Sequence, residues 1–242
     1  PTLLRRTGLL ASLAVLTIAG AAGLASTGAA QRSVPSGRLQ RIVSLNLCTD
    51  QLVLALADRD QIAGLSRNAA SSDMSAEATK ARRLRILGTS AEEILEIRPD
   101  LILGMPARND TLGVLRDRPY RIVDIAPADT LDNIFASIRT TATATGHPGR
   151  GEALIAQMRR DLAAIPKIGG GKVAAYYQRR GYVTGSGTLV DDLMTRIGLT
   201  NLAGRLGKSP LSRVSLEEMV AARPDYLIVE SATDRVTDQG TE

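Results

Sequence analysis

From Arg41 onward, short apolar runs alternate with stretches in which apolar residues recur every three or four positions. Runs of the first kind predict strands over 41–45, 61–65, 100–104 and 121–125. The longer periodic stretches predict helices over 49–57, 91–97, 111–117, 131–144 and 150–165. Gly146-His147-Pro148-Gly149 separates the last two helices, and Pro166 with Gly169-Gly170-Gly171 ends the second. A new strand over 172–177 then opens a second unit of the same kind. Such alternation implies an α/β chain whose strands run mostly parallel, with helices on both faces of the sheet.

The pattern also repeats. Ser90-Ala91-Glu92-Glu93-Ile94-Leu95-Glu96-Ile97-Arg98-Pro99-Asp100 returns as Ser215-Leu216-Glu217-Glu218-Met219-Val220-Ala221-Ala222-Arg223-Pro224-Asp225, and an apolar strand follows each copy. Each serine suits a helix N-cap with glutamate three residues on, which predicts a capping box. Glu92 and Glu217 are left without that local job and should project into solvent. Each Arg-Pro step should end its helix, because the residue before proline disfavours helical geometry. Two related lobes are the simplest reading of so long a period. The second lobe, 171–242, is expected to be incomplete: 42 residues run from Met105 through Gly146, whereas 13 follow Val229. Pro1 in place of Met suggests trimming at the other end as well.

Arg5-Arg6, an apolar run over 8–25 and the small residues Thr27, Gly28, Ala29 and Ala30 have the order of a cleavable signal peptide, 1–30. The run is also long enough to span a membrane, but its Ala/Gly richness and small-residue exit favour cleavage. Sec and twin-arginine export both stay open. Periplasmic localisation follows. The formal charge of +5 is spread among interleaved acids, and the chain has no Trp and one Phe, so no nucleic-acid partner is expected. One cysteine, Cys48, excludes an internal disulfide, and one histidine, His147, leaves little for a metal site or a Ser-His-Asp triad. Neither enzymatic activity nor a cofactor is expected.

The signal peptide, the segment from Arg41 to Gln51, the two Glu-Glu…Arg-Pro-Asp units and Gly185-Ser186-Gly187-Thr188-Leu189-Val190-Asp191-Asp192-Leu193 together resemble the periplasmic cobalamin- and ferric-siderophore-binding proteins of ABC importers. The resemblance implies two α/β lobes, 40–146 and 171–242, joined by one long bridging helix over 147–166, with ligand held between them. It also implies a monomer that captures an iron chelate or a corrinoid and delivers it to an inner-membrane ABC permease dimer. Glutamates at the places of Glu92 and Glu217 are that family's permease-docking residues. Haem and a sensory or adaptor role remain alternatives. The absence of Trp departs from relatives that line their clefts with it.

In open α/β sheets, ligands meet the loops at the carboxyl ends of the strands. That rule selects Asn46, Cys48, Thr49, Ser66, Arg67, Met105, Arg108 and Pro127 in the first lobe. In the second it selects Gln178, Arg179, Arg180 and Tyr182. Arg67, Arg108, Arg179 and Arg180 suit an anionic chelate such as a ferric siderophore, and Tyr182 suits stacking or haem-iron ligation. Cys48 reads as a small buried residue and His147 as a turn residue.

Overall fold

Ile42, Leu101 and Leu103 pack into one core cluster, and Val43 and Ile102 pack into another. This alternation, apolar on both faces, is what a strand covered by helices on each side requires. In the computed structural model, which describes residues 40–88, 90–104, 115 and 120–229, these residues form β1 (Ile42–Ser44) and β3 (Leu101–Gly104). With β2 (Ile62–Gly64) and β4 (Arg121–Asp124) they make a wholly parallel sheet in the order β2-β1-β3-β4. Helix α1 (Leu47–Leu56) connects β1 to β2, while α2 (Ala78–Ala81) and α3 (Ala91–Ile97) lie between β2 and β3. The predicted helix 111–117 falls largely outside the described residues.

Helix α4 (Leu131–Thr145) ends at Gly146 with φ 86°, and α5 (Pro148–Ala164) begins at once with proline in its first turn. The two pack side by side around Gly151, where an added Cβ would lie 2.6 Å from the Ala142 Cβ. His147 is the N-cap residue of α5, as a turn residue should be, and its Nε2 lies 3.0 Å from Gln61 Oε1. Helix α5, about 26 Å long at 1.5 Å per residue, occupies the chain between the two sheets.

The second sheet is mixed, with one strand reversed among four that run the same way. Strand β5 (Val173–Gln178) pairs in parallel with β7 (Thr200–Asn201) and β9 (Tyr226–Val229), but β6 (Tyr182–Thr184) runs antiparallel to both β5 and β8 (Leu211–Arg213). Only Arg179–Gly181 separates β5 from β6, far too little chain for a crossover. The turn closes through left-handed backbone at Arg180 (φ 62°) and Gly181 (φ 78°). Helix α6 (Leu189–Arg196) follows β6, α7 (Leu202–Arg205) follows β7, and α8 (Leu216–Ala222) precedes β9. The lobes meet where the Leu131 N–H, at the start of α4, donates to Asp192 Oδ2 at 2.9 Å. Leu189 packs there against the Leu56, Leu131 and Phe135 cluster.

Candidate ligand cleft and docking helices

The end of β1 feeds directly into α1. Asn46 has extended backbone, and its Oδ1 accepts the Thr49 N–H at 3.0 Å, capping the helix. Helical phase then separates the next two candidates. Cys48 is exposed, which corrects its reading as a buried residue. Thr49 is fully buried; its Oγ1 lies 2.7 Å from Ser44 Oγ and donates to the Asn46 carbonyl at 3.0 Å. With no exposed surface and its hydroxyl already engaged, Thr49 supports the loop and does not face a ligand.

Asn46 and Arg67 come together, as the strand-end rule selects. With Leu47, Ser66, Gly88 and Ile94 they line a cleft of about 320 Å³, all from the first lobe. Asp50, fully buried in α1, lies behind this wall. Its Oδ1 accepts the Ser66 N–H at 3.0 Å, and its Oδ2 accepts the Ser66 hydroxyl at 2.5 Å. Burial pushes the Asp50 carboxyl up from its ordinary value, against the hydrogen bonds from Ser44 and Ser66. Arg108 and Met105 lie outside the described residues, and Pro127 is exposed after β4. A larger cavity, about 640 Å³, lies among α4, α5 and α6 with mainly apolar walls such as Phe135, Leu162 and Leu193.

The remaining candidates belong to the β5–β6 turn. Arg179 and Arg180 are exposed, Tyr182 is half-buried, and the Gln178 amide donates to Thr184 Oγ1 at 3.3 Å. Arg213, which the sequence did not single out, joins them. Its guanidinium sits 5.7 Å from the Tyr182 ring centroid, and its Nε donates to the Arg180 carbonyl at 3.1 Å. Its three-residue strand has no apolar alternation to announce it. Asp191 and Asp192 serve the fold: Asp191 Oδ1 accepts from Asn201 at 3.0 Å, and Asp192 caps α4 across the lobes. Among the described residues, no group of three His, Cys, Asp or Glu side chains is placed to hold a metal ion.

The duplicated helices carry half of the expected capping box. Ser90 Oγ accepts the Glu93 N–H at 3.3 Å and Ser215 Oγ accepts the Glu218 N–H at 3.1 Å. The glutamate side chains do not return to the serine N–H; each ties its helix to a neighbouring loop. Glu93 Oε2 accepts the Gly88 N–H at 2.7 Å, and Glu218 pairs with Lys208 at 2.8 Å. Glu92 and Glu217 are exposed, as expected, yet not without partners. Their own backbone N–H groups, then the capping serines, hold both carboxyls below the usual range.

A sequence profile of the periplasmic binding protein family matches residues 42–242. The chain is 26% identical over 204 residues to a cobalamin-binding protein of Halobacterium salinarum, covering 81% of this chain and 55% of that one, so it spans little more than half of that relative. It is 27% identical over 214 residues to a vitamin B12-binding protein of Pectobacterium carotovorum, covering 84% and 75%. A solved structure of a periplasmic heme-binding protein from Roseiflexus sp. RS-1 superposes with a TM-score of 0.65 at 28% identity, covering 84% and 78%.

Proposed function

The chain belongs to the periplasmic binding protein family, and on that premise we propose that it is the extracytoplasmic solute-binding component of an ABC importer for a tetrapyrrole metal chelate, a corrinoid or haem. Proteins of this family bind solutes and are not enzymes. The cleft at the carboxyl ends of β1 and β2 is the observation that carries the reading, because the strand-end rule places a ligand there. Relatives named for cobalamin and heme support a tetrapyrrole ligand. The cleft would form the first-lobe half of the site, with Arg179, Arg180, Tyr182 and Arg213 as second-lobe contacts. Arg67 suits the propionates of haem or the phosphate of a corrinoid. Glu92 and Glu217 would dock the two lobes on the permease.

Native mass spectrometry of the protein isolated from its own periplasm is the direct test, since the ligand's mass identifies it. Titration with cyanocobalamin, haem and a ferric catecholate follows. Binding of either tetrapyrrole supports the reading, and binding of the ferric catecholate alone restores the siderophore first expected from the arginines. If none binds below about 10 µM, weak for a capture protein, the transport reading fails.

A further inference from the structure

A carboxylate taken fully out of water is costly unless its hydrogen bonds compensate, and the proposed binding reaction has so far given Asp50 no part. Its side chain has no exposed surface. Among the described residues it joins no ion pair with Lys, Arg or His at 4.0 Å or less. Instead both oxygens accept from Ser66 of another element, through its N–H at 3.0 Å and its hydroxyl at 2.5 Å, and Ser44 adds a further hydrogen bond. Ser66 is the N-cap residue of the short 3-10 turn Arg67–Ala70, but its hydroxyl does not cap that turn. The group that would ordinarily serve the turn is thus committed to α1. The following residue, Arg67, is exposed and lines the cleft with Ser66, while Ala69 in the same turn is fully buried. The turn is therefore pinned at two points, by the Asp50 carboxylate before Arg67 and by the core after it.

We propose that Asp50 is a positioning residue for ligand binding: by gripping Ser66 from within α1, it sets where Arg67 stands in the cleft. The inference rests on the cleft being the ligand site. An arginine at a binding site delivers its directional hydrogen bonds only from a fixed backbone. A grip of two hydrogen bonds on the preceding residue supplies that fixity without occupying the cleft. Asparagine at position 50 can still accept the Ser66 N–H, but it turns the charged acceptor facing the hydroxyl into an amide.

The test is a double-mutant cycle on the whole protein, read as Kd for cyanocobalamin and haem, with melting temperature and circular dichroism as controls. Arg67→Ala and Asp50→Asn should each weaken binding of the bound tetrapyrrole about tenfold, and the double variant should be no weaker than Arg67→Ala alone. Ser66→Ala leaves α1 and its buried carboxylate in place; it should give the same pattern, and it replaces Asp50→Asn should that variant not fold. Asp50→Asn and Ser66→Ala variants that fold and bind like wild type overturn the proposal. So do losses that simply add to that of Arg67→Ala, because they would mark a general effect on the fold. If the wild-type protein binds neither tetrapyrrole, the functional reading itself has failed, a different result from any of these.

Discussion

Asp100 Oδ2 accepts the backbone N–H of Arg41 at 2.8 Å, fastening the start of β3 to the start of β1. In the second lobe Asp225 Oδ2 accepts the N–H of Val173 at 2.7 Å and does the same for β9 and β5. The backbone closes each clamp in return, Asp100 N–H to the Arg41 carbonyl and Asp225 N–H to the Val173 carbonyl. Before each aspartate, an arginine ends the helix in left-handed geometry, Arg98 at φ 52° and Arg223 at φ 46°. The repeated Arg-Pro-Asp is thus one mechanical unit used twice: it stops a helix, turns the chain and locks the strand that follows.

Asp100→Ala should therefore remove a charge-assisted hydrogen bond at a half-buried site and cost about 1–2 kcal/mol. Asp225→Ala should cost less, because Asp225 is exposed and water can replace its bond. Urea unfolding of the two variants checks the order. Equal losses would show that burial does not separate the two clamps.

Gly151 tests the helix pair. A methyl group there would meet the Ala142 Cβ at 2.6 Å, with the Ile138 carbonyl at 3.6 Å, so α4 and α5 would have to move apart. Gly151→Ala should destabilise by about 1–3 kcal/mol despite alanine's better helix propensity. Thermal unfolding measures it, and a neutral or stabilising result would mean the helices separate freely.

The strands legible in the sequence are those announced by an apolar run, whether buried like β3 or exposed like β9. The run Leu101-Ile102-Leu103 has no exposed surface, and continuous apolar character marks it as covered on both faces. Helix α3 is found at the predicted 91–97 because its serine cap and Arg-Pro stop are both written in local residues. Strands β6, β7 and β8 escape the sequence reading because they are defined by pairing partners elsewhere in the chain. The cleft shows the same division. The strand-end rule finds the loop holding Asn46, Cys48 and Thr49, but only the helix phase set by the Asn46 cap turns Cys48 outward and Thr49 inward. Arg213 depends on the β6–β8 pairing and leaves no local signal.

Asp50 gives a pH dependence of definite sign. Its folded pKa lies above the ordinary 3.8, so between the two values the folded state holds more protons than the unfolded state. This contribution to stability is complete below about 3.8 and is lost as pH rises through the folded value. Asp50→Asn has no such titration. The melting temperature of the variant relative to wild type should therefore rise with pH across that window and level off above it. Thermal unfolding followed by circular dichroism, with pH raised stepwise from below the ordinary 3.8, follows the change. A difference that stays flat would mean the buried carboxyl keeps an ordinary pKa.

Docking is the prediction on which the duplicated helices bear most directly. Glu92 and Glu217 stand at the same place in α3 and α8, both exposed, both held ionised by backbone and serine donors. Glu93 and Glu218, one residue on, are tied to Gly88 and Lys208 and so fix each helix end against its own lobe. One glutamate of each pair thus anchors the helix, while the other is presented to the outside with its charge maintained. Exposed charges matched to a basic partner govern association and partner choice more than fold stability. Glu92→Ala with Glu217→Ala should accordingly abolish uptake by the reconstituted importer, with ligand affinity and melting temperature nearly unchanged. Ser90→Ala and Ser215→Ala should instead each cost about 1 kcal/mol of stability through the lost N-cap. Uptake at the wild-type rate by the glutamate double variant would remove these two residues from the permease interface.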